Sequence, residues 1–127
     1  MSQKGIEQGR AKFAYDKVKE VHKKDWNGEY KSYVKKFPSY IKTNGLGAAL
    51  AFAYSKRAKE AWAALYGQVA EWLSTQKHLG IQQGELVEII IKLDSSKYRM
   101  VTVEVLALLS WMRRFAEGMI AKDEGDN

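Results

Sequence analysis

From Lys97 to Ala121 the chain carries Val101, Val103, Val105, Leu106, Leu108, Leu109, Trp111, Met112, Phe115, Met119 and Ile120. Read as a helix, this stretch presents apolar side chains on nearly every side through its middle. Such a helix has to be surrounded, so the remaining elements are expected to be built around it. Asp94-Ser95-Ser96 supplies capping side chains at its start. Arg113 and Arg114, near its end, suit the negative pole of the helix dipole. The acidic tail KDEGDN is expected to fray.

The segments before it also read as helices. Ile6, Phe13, Ala14 and Val21 share one face, with Val18 at its edge, giving a helix over about residues 3 to 23. Asp25-Trp26-Asn27-Gly28 is turn chemistry. Tyr30, Tyr33, Phe37, Tyr40 and Ile41 then recur every three or four residues, interrupted by Pro38. Proline disfavours the helical conformation in the residue before it and suits a first turn, which predicts two short helices at an angle, Glu29 to Phe37 and Ser39 to Thr43. Asn44-Gly45 ends the second. Leu46 to Lys56 resumes as a helix rich in small residues, whose centre is expected to be buried. Ala58, Ala61, Trp62, Leu65, Tyr66, Val69, Trp72 and Leu73 form an apolar stripe to about Gln76, after a brief break or none at Lys56. His78 to Gly84 reads as a linker. Glu85 to Leu93 suits strand or helix by pattern, and helix is preferred because no second strand-like run exists to pair with it. The expectation is an all-α fold: a compact single-domain helical bundle spanning residues 1–127, with about five to seven helices around a central C-terminal one.

Several functions are disfavoured by composition. There is no Cys, and the two His are isolated, so disulfides, thiolate chemistry and a structural zinc site are not expected. The opening residues MSQKGIEQGR lack the apolar run of a signal peptide, and no stretch approaches the roughly 18 to 20 apolar residues of a membrane span. A soluble cytoplasmic protein with no membrane partner is the expectation. Ser110 has no nearby His, and the carboxylates form no paired arrangement suited to general acid–base work. Gly45-Leu46-Gly47 is no phosphate loop, since position 50 is Leu and a helix precedes it. No catalytic residue, metal, cofactor or small-molecule substrate is therefore assigned.

The charge is unevenly spread. Residues 1 to 60 hold 14 Lys/Arg against 6 Asp/Glu, a balance of +8, whereas residues 61 to 127 hold 7 against 9, a balance of −2. A basic first half favours a polyanionic partner, nucleic acid ahead of a membrane surface, against the plainer reading of a solvated lysine-rich surface. Arg10 and Lys17 fall near the middle of the first helix's apolar stripe. There they either run their stems along the core and pair with a carboxylate, or face a phosphate backbone or a neighbouring subunit. Lys31, Lys35, Lys36 and Lys42 alternate with aromatic rings, which are read as packing, with the lysines as the exposed layer. Lys56, Arg57 and Lys59 would be opposed by the dipole of a helix starting there, which makes them candidates for binding.

Gln8-Gly9-Arg10-Ala11, the block from Phe37-Pro38-Ser39-Tyr40-Ile41-Lys42 through Thr43-Asn44-Gly45-Leu46-Gly47, Tyr98-Arg99, Thr102-Val103-Glu104 and Leu109-Ser110-Trp111-Met112-Arg113-Arg114-Phe115-Ala116 carry a family resemblance. In order and spacing the chain resembles the small, fifth-subunit family of the Cmr-type (type III-B) CRISPR RNA-targeting effector. The Asn-Gly-Leu-Gly block is the most specific part. The resemblance implies an all-α subunit without catalysis of its own. Copies of it stack along a filament assembled on guide RNA, beside the other Cmr subunits and the target RNA, and cleavage belongs to those other subunits. The RNA-binding candidates are Arg10, Lys17, Lys42, Lys56, Arg57, Arg113 and Arg114. The matching cations Arg10, Lys42, Arg113 and Arg114 are open to subunit contacts as well as to RNA. The competing reading is a structural helical adaptor whose cations meet acidic protein partners without touching RNA.

Overall fold

The computed structural model describes residues 3–121, and among these the fold is all helical. Its elements are α1 (Gln3–Val21), α2 (Asn27–Asn44), α3 (Leu46–Ser55), α4 (Glu60–Thr75), a 3₁₀ turn (Lys77–Leu79), α5 (Leu86–Ile91) and α6 (Ser95–Met119). Within the ELVEIIIKL segment Leu86–Ile91 is helical, as preferred, while Glu85 is extended and Lys92 and Leu93 turn the chain. Tyr66 holds the segment: its hydroxyl donates to the Glu85 carboxylate at 2.5 Å and accepts from the Val87 amide at 3.0 Å. Burial first, then the hydrogen bond to Glu85, pushes the Tyr66 hydroxyl up to about 12, so it keeps the proton it donates.

α6 runs against α1 and α2, and also touches α4 and the 3₁₀ turn. Its buried stripe is Val101, Glu104, Val105, Leu108, Leu109, Met112 and Ala116. The helix is central in its contacts without being encased, since Val103 is 65% exposed and Met100 also faces outward. The Asp94 carboxylate accepts the Lys97 amide at 2.8 Å and caps the start. α4 packs against α2 and α3, and α3 against α5. Apolar side chains from all six helices meet in a shared core.

The predicted break at Pro38 does not occur, and α2 continues through it. Proline deprives the Val34 carbonyl of its intrahelical donor, at a cost of about 3 kcal/mol. Against that, Tyr30, Val34, Phe37 and Ile41 form one buried stripe spanning both sides of the proline. Each such side chain contributes about 1.5–3 kcal/mol when buried, so splitting the stripe would cost more than the proline does. The chain turns instead at Gly45, whose φ of +92° favours glycine. Gly47 serves close approach: a Cβ there would lie 3.3 Å from the Tyr98 hydroxyl, which accepts the Gly47 amide at 2.7 Å. The Gly45-Leu46-Gly47 segment thus joins α2 to α3 and docks α6 on the junction.

Candidate nucleic-acid interface

The cations singled out in the sequence fall into two groups, those satisfied within the chain and those left exposed. Arg10 belongs to the first. Its guanidinium donates to Glu104 through Nε at 2.7 Å and Nη2 at 2.9 Å, and its Nη1 pairs with Glu7. Glu104 also accepts the Trp72 indole N–H at 2.8 Å and is only 4% exposed. Burial alone would push the Glu104 carboxyl up. The hydrogen bonds from Arg10 and Trp72, with the guanidinium's charge, outweigh it and hold the carboxyl below its ordinary value. Lys17 pairs with Glu71 at 3.0 Å and Glu20 at 3.6 Å, and these partners raise its pKa against the opposing effect of burial. Both α1 cations therefore lie on the apolar face as the helical period requires, each joined to a carboxylate.

At the far end of α6, Arg113 pairs with Glu117 at 2.9 Å on the surface. Arg114 lies 5.3 Å from the Trp111 ring. Trp111 stacks on Phe115, which meets Tyr15 edge-on, and Tyr15 is 43% exposed. This is an aromatic face carrying the exposed cations Arg114 and Lys19, with the Lys19 Nζ 6.0 Å from the Tyr15 ring centroid.

The second group lies where α2, α3 and α4 meet. Lys36, Lys42, Lys56, Arg57 and Lys59 are all exposed, and no carboxylate among the described residues is within ion-pair distance of any of them. The helix does break after Ser55, and the turn at 56–59 puts Lys56 and Arg57 at the C-terminal end of α3. A cation is favoured there, so the expected dipole cost before α4 is offset by a gain behind α3. Arg57 donates its Nε–H to the Tyr54 carbonyl at 2.8 Å and stacks its guanidinium 3.6 Å from the Tyr54 ring centroid. That geometry folds the arginine back over the last turn of α3, with its guanidinium flat on an aromatic ring.

Between α2 and this turn is a groove of about 400 Å³. Tyr33 stacks on Trp62 with centroids 4.1 Å apart and planes 12° apart, and Tyr40 stacks on Phe52 at 5.3 Å and 26°. Phe52 meets Trp62 edge-on, which joins the two pairs into one wall. Lys36, Lys56 and Lys59 reach the groove, with the Lys56 Nζ 5.7 Å from the Phe52 ring centroid. Of these three, only Lys56 is among the RNA-binding candidates assigned from sequence. The i, i+4 spacing of Lys36 with Tyr40 was a visible signal. Their meeting with Phe52 and Trp62 depends on how three helices pack.

The model of the CRISPR-associated Cmr5 protein family matches residues 6–119 of this chain. The CRISPR system Cmr subunit Cmr5 of Thermus thermophilus is 37% identical over 110 residues, which cover 87% of this chain and 91% of that protein. The X-ray crystal structure of a CRISPR-associated Cmr5 family protein from Thermus thermophilus superposes with a TM-score of 0.78 at 34% identity. The match covers 91% of this chain and 98% of that one.

Proposed function

This chain belongs to the Cmr5 family of CRISPR-associated proteins, and from that premise we propose that it is a non-catalytic small subunit of a type III-B effector ribonucleoprotein. It stacks with further copies of itself beside the other Cmr subunits, and touches the backbone of guide and target RNA. The observation that supports RNA contact is the group of exposed cations without carboxylate partners around the α2–α3–α4 junction, among them Lys42, Lys56 and Arg57. Arg10 and Lys17 are committed to carboxylates inside the chain and act on the fold. Arg114, beside the aromatic face of Tyr15, Trp111 and Phe115, suits contact with a neighbouring subunit, while Arg113 is paired with Glu117 on the surface.

Phosphate contacts release condensed counterions, so they weaken together as salt rises. Each contact with single-stranded RNA contributes about 0.7 to the log–log slope of affinity against salt. Changing Lys42, Lys56 and Arg57 to Glu in the assembled complex is expected to weaken target RNA binding and to lower that slope by about 2. Unchanged affinity at low and moderate salt would remove this surface. The adaptor reading has the same cations meet acidic patches on neighbouring subunits. It predicts the opposite pattern, in which the same reversals abolish incorporation but leave RNA affinity intact in any particle that assembles. Native mass spectrometry of co-expressed subunits separates the two.

A further inference from the structure

We propose that the groove between α2, α3 and α4 receives one unstacked base of a single-stranded RNA, with the flanking phosphates held by its lysine rim. The proposal rests on the RNA-contact reading above and adds to it a site for the base itself. Two features of the groove choose this occupant. Its walls are rings, in the stacked pairs Tyr33–Trp62 and Tyr40–Phe52, and the remaining lining residue besides lysines is Phe37. No Leu, Ile, Val or Met lines it, so the aliphatic knobs that anchor an amphipathic helix would meet only rings. Its charge is of one sign. Lys36, Lys56 and Lys59 reach the groove, no carboxylate lines it, and none pairs with these lysines among the described residues.

The nearest acidic residues in sequence do not alter this. Glu29 accepts the hydroxyl of the wall residue Tyr33 at 3.2 Å but is not itself among the lining residues, and Glu60 lies in the first turn of α4. A ligand that fits has a flat π-face and negative charge a short distance from it, which describes a nucleotide. Every base has such a face, so the site is expected to tolerate any sequence. Tyr33, Tyr40 and Phe52 are half-buried, which leaves ring surface on which a base can extend either stack.

The test uses the full 127-residue chain at about 50 mM salt, where phosphate contacts are strong. A short single-stranded RNA carrying 2-aminopurine is compared with an abasic oligomer of the same length and charge. The base-bearing strand is expected to bind about tenfold more tightly, in line with the effect of removing one base-stacking ring, and its fluorescence to be quenched on binding. Phe52→Leu keeps an apolar side chain but removes the ring, and should erase that difference while leaving abasic binding unchanged. Tyr40→Leu provides the same readout if Phe52→Leu misfolds. Equal binding of the two oligomers by the unaltered protein overturns the base site and leaves the backbone reading standing. Binding of neither overturns both. If the groove variants keep base-dependent binding but fail to enter a complex with co-expressed subunits, the groove holds a protein segment and the proposal is wrong.

Discussion

Replacing Glu104 with leucine should cost about 3 kcal/mol, at the low end of the 3–5 kcal/mol typical when one member of a buried ion pair is removed. The carboxylate accepts two bonds from Arg10 and one from Trp72. An aliphatic side chain in its place would leave the indole N–H without its acceptor and the guanidinium with Glu7 alone. The low end applies because the Arg10 side chain keeps 15% exposure and can recover some water. Taking an unfolding entropy of about 2.1 cal/mol/K per residue, 3 kcal/mol lowers the melting temperature by roughly 11 °C. Thermal and urea unfolding followed by circular dichroism measure it. Arg10→Met combined with Glu104→Leu should lose less than the sum of the two single changes, by about 2 kcal/mol, since neither charge is then stranded. The carboxyl's pKa is depressed in the folded state, so its contribution is full above the ordinary glutamate value of 4.5 and is lost as pH falls below it. The gap between wild type and Glu104→Leu should therefore narrow in acid. A loss below about 1 kcal/mol, or strict additivity in the double variant, would refute the coupling and return Arg10 to the cations available for RNA.

Two further substitutions probe how the helices are held. Pro38→Ala restores a donor to the Val34 carbonyl and loosens the unfolded chain, for a net gain of about 1–2 kcal/mol and a rise of roughly 4–8 °C in melting temperature; a fall would mean that α2 depends on its proline. Asp94→Ala removes the acceptor of the Lys97 amide and should cost about 1 kcal/mol in urea unfolding, whereas no change would show that the cap is replaced by water.

The helices were readable because each buries one face, and a buried face imprints its period on the sequence. Ala14, Val18 and Val21 are buried on α1, and the same period put Arg10 and Lys17 on that side. What the period does not encode is the partner. Glu104 lies 94 residues from Arg10, and nothing local to either residue marks the pair. Pro38 misled for a related reason. The local preference of Phe37 and Pro38 is a few kcal/mol, and the burial of Tyr30, Val34, Phe37 and Ile41 against other helices overrides it. The groove stood furthest from view, because Tyr33 and Trp62 come from separate helices and read in sequence as ordinary core stripes.

The same distinction governs the charge. A balance of +8 in the first 60 residues suggests a uniformly basic half, yet α1 neutralises much of its own. Arg10 meets Glu7 and Glu104, Lys12 meets Asp16, and Lys17 meets Glu71. A close ion pair has little field beyond a Debye length of about 8 Å at physiological salt, so these cations add little to the attraction felt by an approaching strand. The surplus that no carboxylate meets among the described residues lies in two places, in Lys19, Lys23 and Lys24 at and just after the end of α1, and in the larger group of lysines with Arg57 where α2, α3 and α4 meet. Two of the carboxylates that neutralise α1, Glu71 on α4 and Glu104 on α6, come from the half with a balance of −2. The acidic half thus takes up cations that would otherwise spread the basic surface over α1. The formal charge of each half therefore describes composition alone, and the packing of α1 against α4 and α6 decides where a phosphate backbone finds positive charge.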